Sequence, residues 1–145
     1  MTSTVLKSAL AGLFAAALVS GAARAADAEG TWVSEDGGLK VALSDCGDKL
    51  CGRVVWLGEP IDRRTGKPKT DTRNPDPAKR ARPLIGLEVA TMAPVGHDRW
   101  SGTIYNADDG HIYRANLRIK DARTAVLEGC MMVVLCRGHT WTRSR

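Results

Sequence analysis

From Gly30 onward, apolar and polar positions alternate in short stretches that break every few residues at glycine and aspartate. Leu39, Val41 and Leu43 alternate with Lys40 and Ser44, the two-residue period of a strand with one face turned inward. Stretches of this kind cover residues 30–35, 39–45, 50–57, 84–92, 99–106, 111–120, 124–132 and 138–144. Between them stand turn signals at Asp36-Gly37-Gly38, Asp108-Asp109-Gly110 and Asp121-Ala122-Arg123, the second with the aspartate-glycine step of a hairpin. No stretch keeps a helical period long enough to bury a helix. The pattern predicts an all-β fold: a small up-and-down antiparallel barrel of about eight strands, whose closure removes exposed edges. Such a barrel has room inside for its own side chains or one small ligand. A five- or six-stranded open barrel, or a sandwich, is the alternative.

One segment breaks the rhythm. The twenty-six residues 58–83, between Leu57 and Leu84, carry hardly any apolar side chains. A loop that long in a compact domain is functional, locally structured or disordered. Asp76-Pro77 reads as a helix start, an acid at the N-cap and proline at the first helical position. Pro83 pushes Arg82 out of helical geometry, which limits the helix to residues near 77–81. The connector is therefore expected to be ordered, a short helix between extended stretches that could plug one mouth of the barrel.

Charge sharpens that picture. Eight basic residues (Arg63, Arg64, Lys67, Lys69, Arg73, Lys79, Arg80, Arg82) face four acids (Glu59, Asp62, Asp71, Asp76) in residues 58–83, a net of +4. The whole chain carries +5, of which Lys7 and Arg24 fall in an N-terminal leader. Residues 1–25 read as a signal peptide: Lys7, an apolar core over 9–19, and Ala23-Arg24-Ala25 as the cleavage site. That apolar run is too short to span a bilayer, so no stable membrane span is expected after cleavage, and the chain is expected in the periplasm. Residues 26–145 then form one domain. Its excess charge lies in the connector, far from the basic signature of a nucleic-acid binder.

Cys46, Cys51, Cys130 and Cys136 lie beyond the leader, an even count that implies disulfides in an exported chain. Three connectivities are open. Local pairing is favoured, because Cys46-Gly-Asp-Lys-Leu-Cys51 looks like a hairpin turn whose flanking positions face each other. The spacings lack the tight gap of zinc knuckles. His97, His111 and His139 are scattered, so no metal site is expected, and no cofactor motif is present.

The blocks GTWVSEDGGLKVALSDCGDKLCGRVVWL, GKPKTDTRNPDPAKRARPLIGLEV, WSGTIYNADDGHIYRANL and HTWTR resemble, in order, the bacterial exported family catalogued as domain of unknown function 2147. The resemblance runs from about Gly30 to Arg143 and is most specific around Asp71, Asn74-Pro75-Asp76-Pro77, Arg80, Arg82-Pro83 and Gly86-Leu87. It implies a small periplasmic β-barrel of the lipocalin or avidin kind. It implies no activity and supplies no catalytic residues.

Two functions follow. In the first, the barrel binds a small amphipathic or anionic ligand, with Trp56, Asp71, Asn74, Arg80, Arg82, Tyr105 and Tyr113 as candidate binding residues; arginine supplies forked donors to an anion. Trp56 is included because it ends a strand where the basic segment begins. The competing reading of the arginines is structural, with Arg80 or Arg82 paired to Asp71 or Asp76. In the second function, the barrel is filled and the protein meets an envelope protein or polymer through its basic surface. No motif frames a catalytic serine, and an enzyme is not expected. Asp71, Asn74 and Asp76 are read as Asx turns and caps rather than a calcium loop.

Overall fold

The computed structural model describes residues 25–132 and 135–145; the expected signal peptide, up to residue 24, lies outside them. Eight strands close into one antiparallel barrel in sequence order: β1 (Gly30–Val33), β2 (Leu39–Asp45), β3 (Leu50–Leu57), β4 (Glu88–Gly96), β5 (Arg99–Asn106), β6 (His111–Ile119), β7 (Thr124–Met132) and β8 (Leu135–Arg143). Both disulfides are local, Cys46–Cys51 at the β2–β3 turn and Cys130–Cys136 at the top of the β7–β8 hairpin. The alternating residues meet as expected: Val41 sits opposite both Trp32 and Val54, Ala115 opposite both Gly102 and Gly129.

In an up-and-down barrel, odd-to-even turns gather at one end and even-to-odd turns at the other. The lower end, where β2–β3, β4–β5 and β6–β7 turn, is packed solid. Trp32, Leu50, Met92, Trp100, Leu117 and Ala125 are buried there. A helical turn over Ala25–Ala28, which the sequence pattern did not signal, closes this end. Ala28 is fully buried and its carbonyl accepts from the Trp32 indole N–H at 2.8 Å. Arg143, opposite Trp32 in the ladder, lays its guanidinium 4.4 Å from the Trp32 ring centre and donates to the carbonyls of Asp27, Glu29 and Ala122. Gly30, at φ 124°, makes room for it, since a Cβ there would stand 2.7 Å from the guanidinium.

The fourth strand differs from its predicted range of 84–92. Gly86 adopts φ 92°, and the Leu87 amide donates to the Leu84 carbonyl, so 84–87 form a turn. At the other end β4 runs on through Pro94. Proline is tolerated because β3 stops opposite Met92, leaving no partner on that side to need its missing N–H. The eighth strand likewise begins at Leu135, earlier than expected, and the first ends at Val33.

Candidate functional site

The connector leaves the upper end of β3 and folds on itself. Isolated bridges join Ile61 to Pro68 and Thr70 to Pro83, and the Leu84 amide donates to the Lys69 carbonyl. The expected helix is a single 3₁₀ turn, Pro77–Lys79, with Asp76 as its N-cap accepting from the Ala78 amide at 3.0 Å. It ends at Lys79, short of 81, with the Arg80 amide closing it on the Pro77 carbonyl and the Arg82 amide donating to the Lys79 carbonyl.

Asp71 holds this segment to the barrel. It is completely buried, and its carboxylate accepts from the Tyr105 hydroxyl at 2.6 Å, from the Asn74 amide at 2.8 Å and from Arg82 Nε at 2.8 Å. Burial is the strongest single influence on this carboxyl and pushes its pKa up. The hydrogen bonds from Tyr105, Asn74 and Arg82 together outweigh it, leaving the pKa below the ordinary value. Tyr105 is raised, first by burial and then by its bond to the Asp71 carboxylate. The Arg82 guanidinium also lies 5.6 Å from the Tyr105 ring centre. Arg80 Nε donates to the Asn74 carbonyl at 2.7 Å, and the Asn74 side-chain oxygen accepts from the Asp76 amide.

Five of the seven candidate residues thus come together, and their hydrogen bonds are spent on one another. Asp71, Asn74, Arg80, Arg82 and Tyr105 clamp the connector against the outer face of β5. This is the structural reading of the arginines. The segment is a strap on the rim rather than a plug: beside the clamp, the Arg73 carbonyl packs on Gly110 of the β5–β6 turn, where a Cβ would stand only 2.0 Å away. Gly110 itself has φ 77°, so glycine is required there twice over.

The other two candidates stand elsewhere. Trp56 is on the outside, 41% exposed, with Lys40 Nζ 5.2 Å from its ring centre. A bulge between Lys40 and Val41 sets Trp56 opposite Lys40 instead of in the inward row of Val54. It therefore does not line the mouth of the barrel. Tyr113 lies opposite Ile104, on the inward row, and its hydroxyl donates to Asp109 at 2.6 Å near the upper rim. That bond, ahead of burial, raises the Tyr113 pKa.

What the sequence reading missed is the upper interior. Four inward residues are only partly buried although they pack on the core: Leu43 beside the β2–β3 turn, Leu127 and Trp141 opposite Leu117 and Ala125, and Ile104 toward the upper rim. Above them, on the same face of β8, come His139 and Arg137, opposite Leu127 and Gly129. Gly52, Ala90, Gly102, Ala115 and Gly129 occupy the neighbouring inward positions, so much of this wall carries little side-chain bulk. The phase of Ala125, Leu127 and Trp141 could have signalled this row. Among the described residues, no group of three or more histidine, cysteine, aspartate or glutamate side chains could hold a metal ion. No described helix is long and apolar enough to cross a membrane.

A closed eight-stranded up-and-down antiparallel barrel is lipocalin-like in form. A solved structure of similar shape is that of protein HP1028 from the human pathogen Helicobacter pylori, described as belonging to the lipocalin family. The two agree with a TM-score of 0.69 at 19% identity over 81% of this chain and 82% of that one. The chain belongs to the family of uncharacterized proteins conserved in bacteria known as domain of unknown function 2147, whose profile matches residues 30–143. No curated protein matches it significantly.

Proposed function

We propose that this protein is an exported, non-enzymatic binding barrel that takes a small amphipathic ligand into its upper half. One observation carries the reading: the inward positions nearest the upper rim, Ile104, Tyr113 and His139, remain partly or fully exposed, whereas Trp32, Leu50, Met92, Trp100, Leu117 and Ala125 below them are buried. An apolar wall with a few polar groups at its edge is the usual form of a small-molecule site. Tyr113, His139 and Arg137 supply those groups; His139 stands 3.5 Å from Glu35, and Arg137 favours an acidic head on the ligand. The lipocalin description of the Helicobacter pylori protein supports the same reading. The two disulfides accord with an oxidising compartment such as the periplasm, where the leader would deliver the chain.

Native mass spectrometry of the protein isolated from its own envelope fraction tests this directly. A copurified ligand of constant mass is expected, and it should be lost in Gly129→Leu, whose added side chain points at Ile104 from 3.5 Å. Apo protein that also fails to enhance the fluorescence of anilinonaphthalene sulfonate, an amphipathic anion, would refute the proposal. The second reading, contact with an acidic envelope polymer, draws on Arg64, Lys67 and Arg73, which make no ion pair among the described residues. It predicts salt-sensitive retention on an anionic polymer that their replacement by glutamine abolishes.

A further inference from the structure

The barrel closes along a seam much shorter than one of its two strands. β8 runs from Leu135 to Arg143, yet β1 pairs only with Thr142 and Arg143. Closure therefore covers the edge of β8 at the lower end and leaves it open above. On its other side β8 pairs with β7 from Thr142 up to Leu135.

Backbone direction shows which groups stand on the open side. The Arg143 amide donates to the Arg123 carbonyl, toward β7, and the Ser144 amide to the Thr31 carbonyl, toward β1. These directions alternate along a strand, so odd-numbered residues of β8 bond to β7 and even-numbered ones face the seam. Cys130 and Cys136 agree: they are opposite each other with Cα atoms 4.0 Å apart, the close approach of a pair that exchanges no backbone bonds. The N–H and C=O groups of Cys136, Gly138 and Thr140 thus point away from β7. All three residues are exposed, and among the described residues no turn or loop backbone bonds to them.

Proteins ordinarily blunt such an edge with proline or lysine, or keep it very short. Here the open positions carry a disulfide-bonded cysteine, a glycine and a threonine. The Cys130–Cys136 disulfide ties the edge to β7, which keeps it extended with no neighbour on the seam side.

We propose that two copies of the chain pair through this edge, β8 against β8 and antiparallel, about a two-fold axis at Gly138. The edge is complementary to itself. With Gly138 opposite its own copy and Cys136 opposite Thr140, every open N–H of one chain meets an open C=O of the other. Charge selects the same register: an axis at residue 137 would set Arg137 against its own copy, which is destabilising, whereas the axis at Gly138 sets it opposite His139. The contact is made by backbone on the seam side and is independent of whether the barrel holds a ligand. So short a pairing buries less than the roughly 800 Å² per partner of a standard interface, and a dissociation constant of about 0.1 mM is expected.

Sedimentation velocity of the full chain across about 10 μM to 1 mM reads this equilibrium, with all variants sharing one N-terminus. Gly138→Pro removes an N–H that β7 does not use, and should weaken the dimer about tenfold or more through loss of the central bonds. Gly138→Cys tests the axis itself. A Cβ there meets Glu128 and Val126 only at 3.5 Å, ordinary contact, and no other free cysteine is present among the described residues. Residues opposite each other at a bonded position stand about 5.5 Å apart, within disulfide reach, so mild oxidation should link two chains through residue 138. Thr72→Cys, an exposed thiol on the connector, should link far more slowly, and circular dichroism establishes that each variant is folded. A monomer throughout the concentration range would overturn the proposal, as would a dimer indifferent to Gly138→Pro or a Gly138→Cys chain that links no faster than Thr72→Cys. Amides of Gly138 and Thr140 that gain exchange protection only when envelope extract is added would overturn it in favour of a strand from another protein.

Discussion

Replacing Asp71 by alanine should release the strap from the barrel. The wild-type carboxylate is fully buried and takes three hydrogen bonds, from Tyr105, Asn74 and Arg82. Bonds to an ionised group are each worth about 1.5–3 kcal/mol. Two corrections reduce the sum. Arg82 is 37% exposed, so water takes over part of its loss, and the Asn74 amide and Tyr105 hydroxyl still hold each other at 3.0 Å. A net destabilisation of about 3 kcal/mol is expected, as for removal of one member of a buried polar network, against a total of about 5–15 kcal/mol for a domain. Urea unfolding followed by tryptophan fluorescence reads the total. Hydrogen exchange at the amides of Asp71 and Asn74, which donate to the carbonyls of Arg82 and Asp71, reads the strap itself. A loss below about 0.5 kcal/mol, typical of surface substitutions, together with unchanged exchange at those amides would refute the clamp.

The same clamp sets a pH range. Asp71 titrates below its ordinary value in the fold, so its contribution is complete above the unfolded carboxylate pKa of about 4 and is lost as pH falls toward the folded pKa. Tyr105 is raised, so its contribution is complete below a pH of about 10 and is lost as pH rises toward the folded pKa; urea midpoints across pH should show both limits, and Tyr105→Phe should reduce the alkaline one, Tyr113 being raised as well. Gly110→Ala meets the Arg73 carbonyl and a positive φ together, and should cost about 2–3 kcal/mol while raising hydrogen exchange in residues 70–83 more than in the barrel. Serine in place of both cysteines of either disulfide should cost about 2 kcal/mol for loops of this size, measured under non-reducing conditions. Arg143→Ala removes three carbonyl partners and the contact with Trp32; a fall of about 2–3 kcal/mol and a shifted Trp32 emission should accompany it.

Alternation made the strands legible, because each has one face in the core and each hairpin has its turn residues. It failed where register departs from a strict period of two. Trp56 shares the parity of Val54 in the sequence, and only the bulge opposite Lys40 turns it outward. The start of β4 was misplaced because Leu84 and Leu87 look like strand residues, while the bond that makes them a turn depends on Gly86 at positive φ. Within the candidate site, the Asp76 cap and the pairing of Asp71 with Arg82 could be read locally. Tyr105 lies 34 residues from Asp71, and nothing in the spacing says that its outward face meets the strap. The small-residue wall was hidden because it depends on how Gly52, Ala90, Gly102, Ala115 and Gly129, on five separate strands, line up after closure.

The seam between β1 and β8 has a consequence for how the chain folds. Only two residue pairs close the barrel, Trp32 with Arg143 and Val33 with Thr142, and they join positions more than a hundred residues apart. Contacts that distant form late. Until residue 143 has emerged, the first strand has no neighbour on one side and the lower end lacks the arginine that covers Trp32. A partly synthesised chain therefore stays open, and the closed barrel becomes available only once residue 143 has been made.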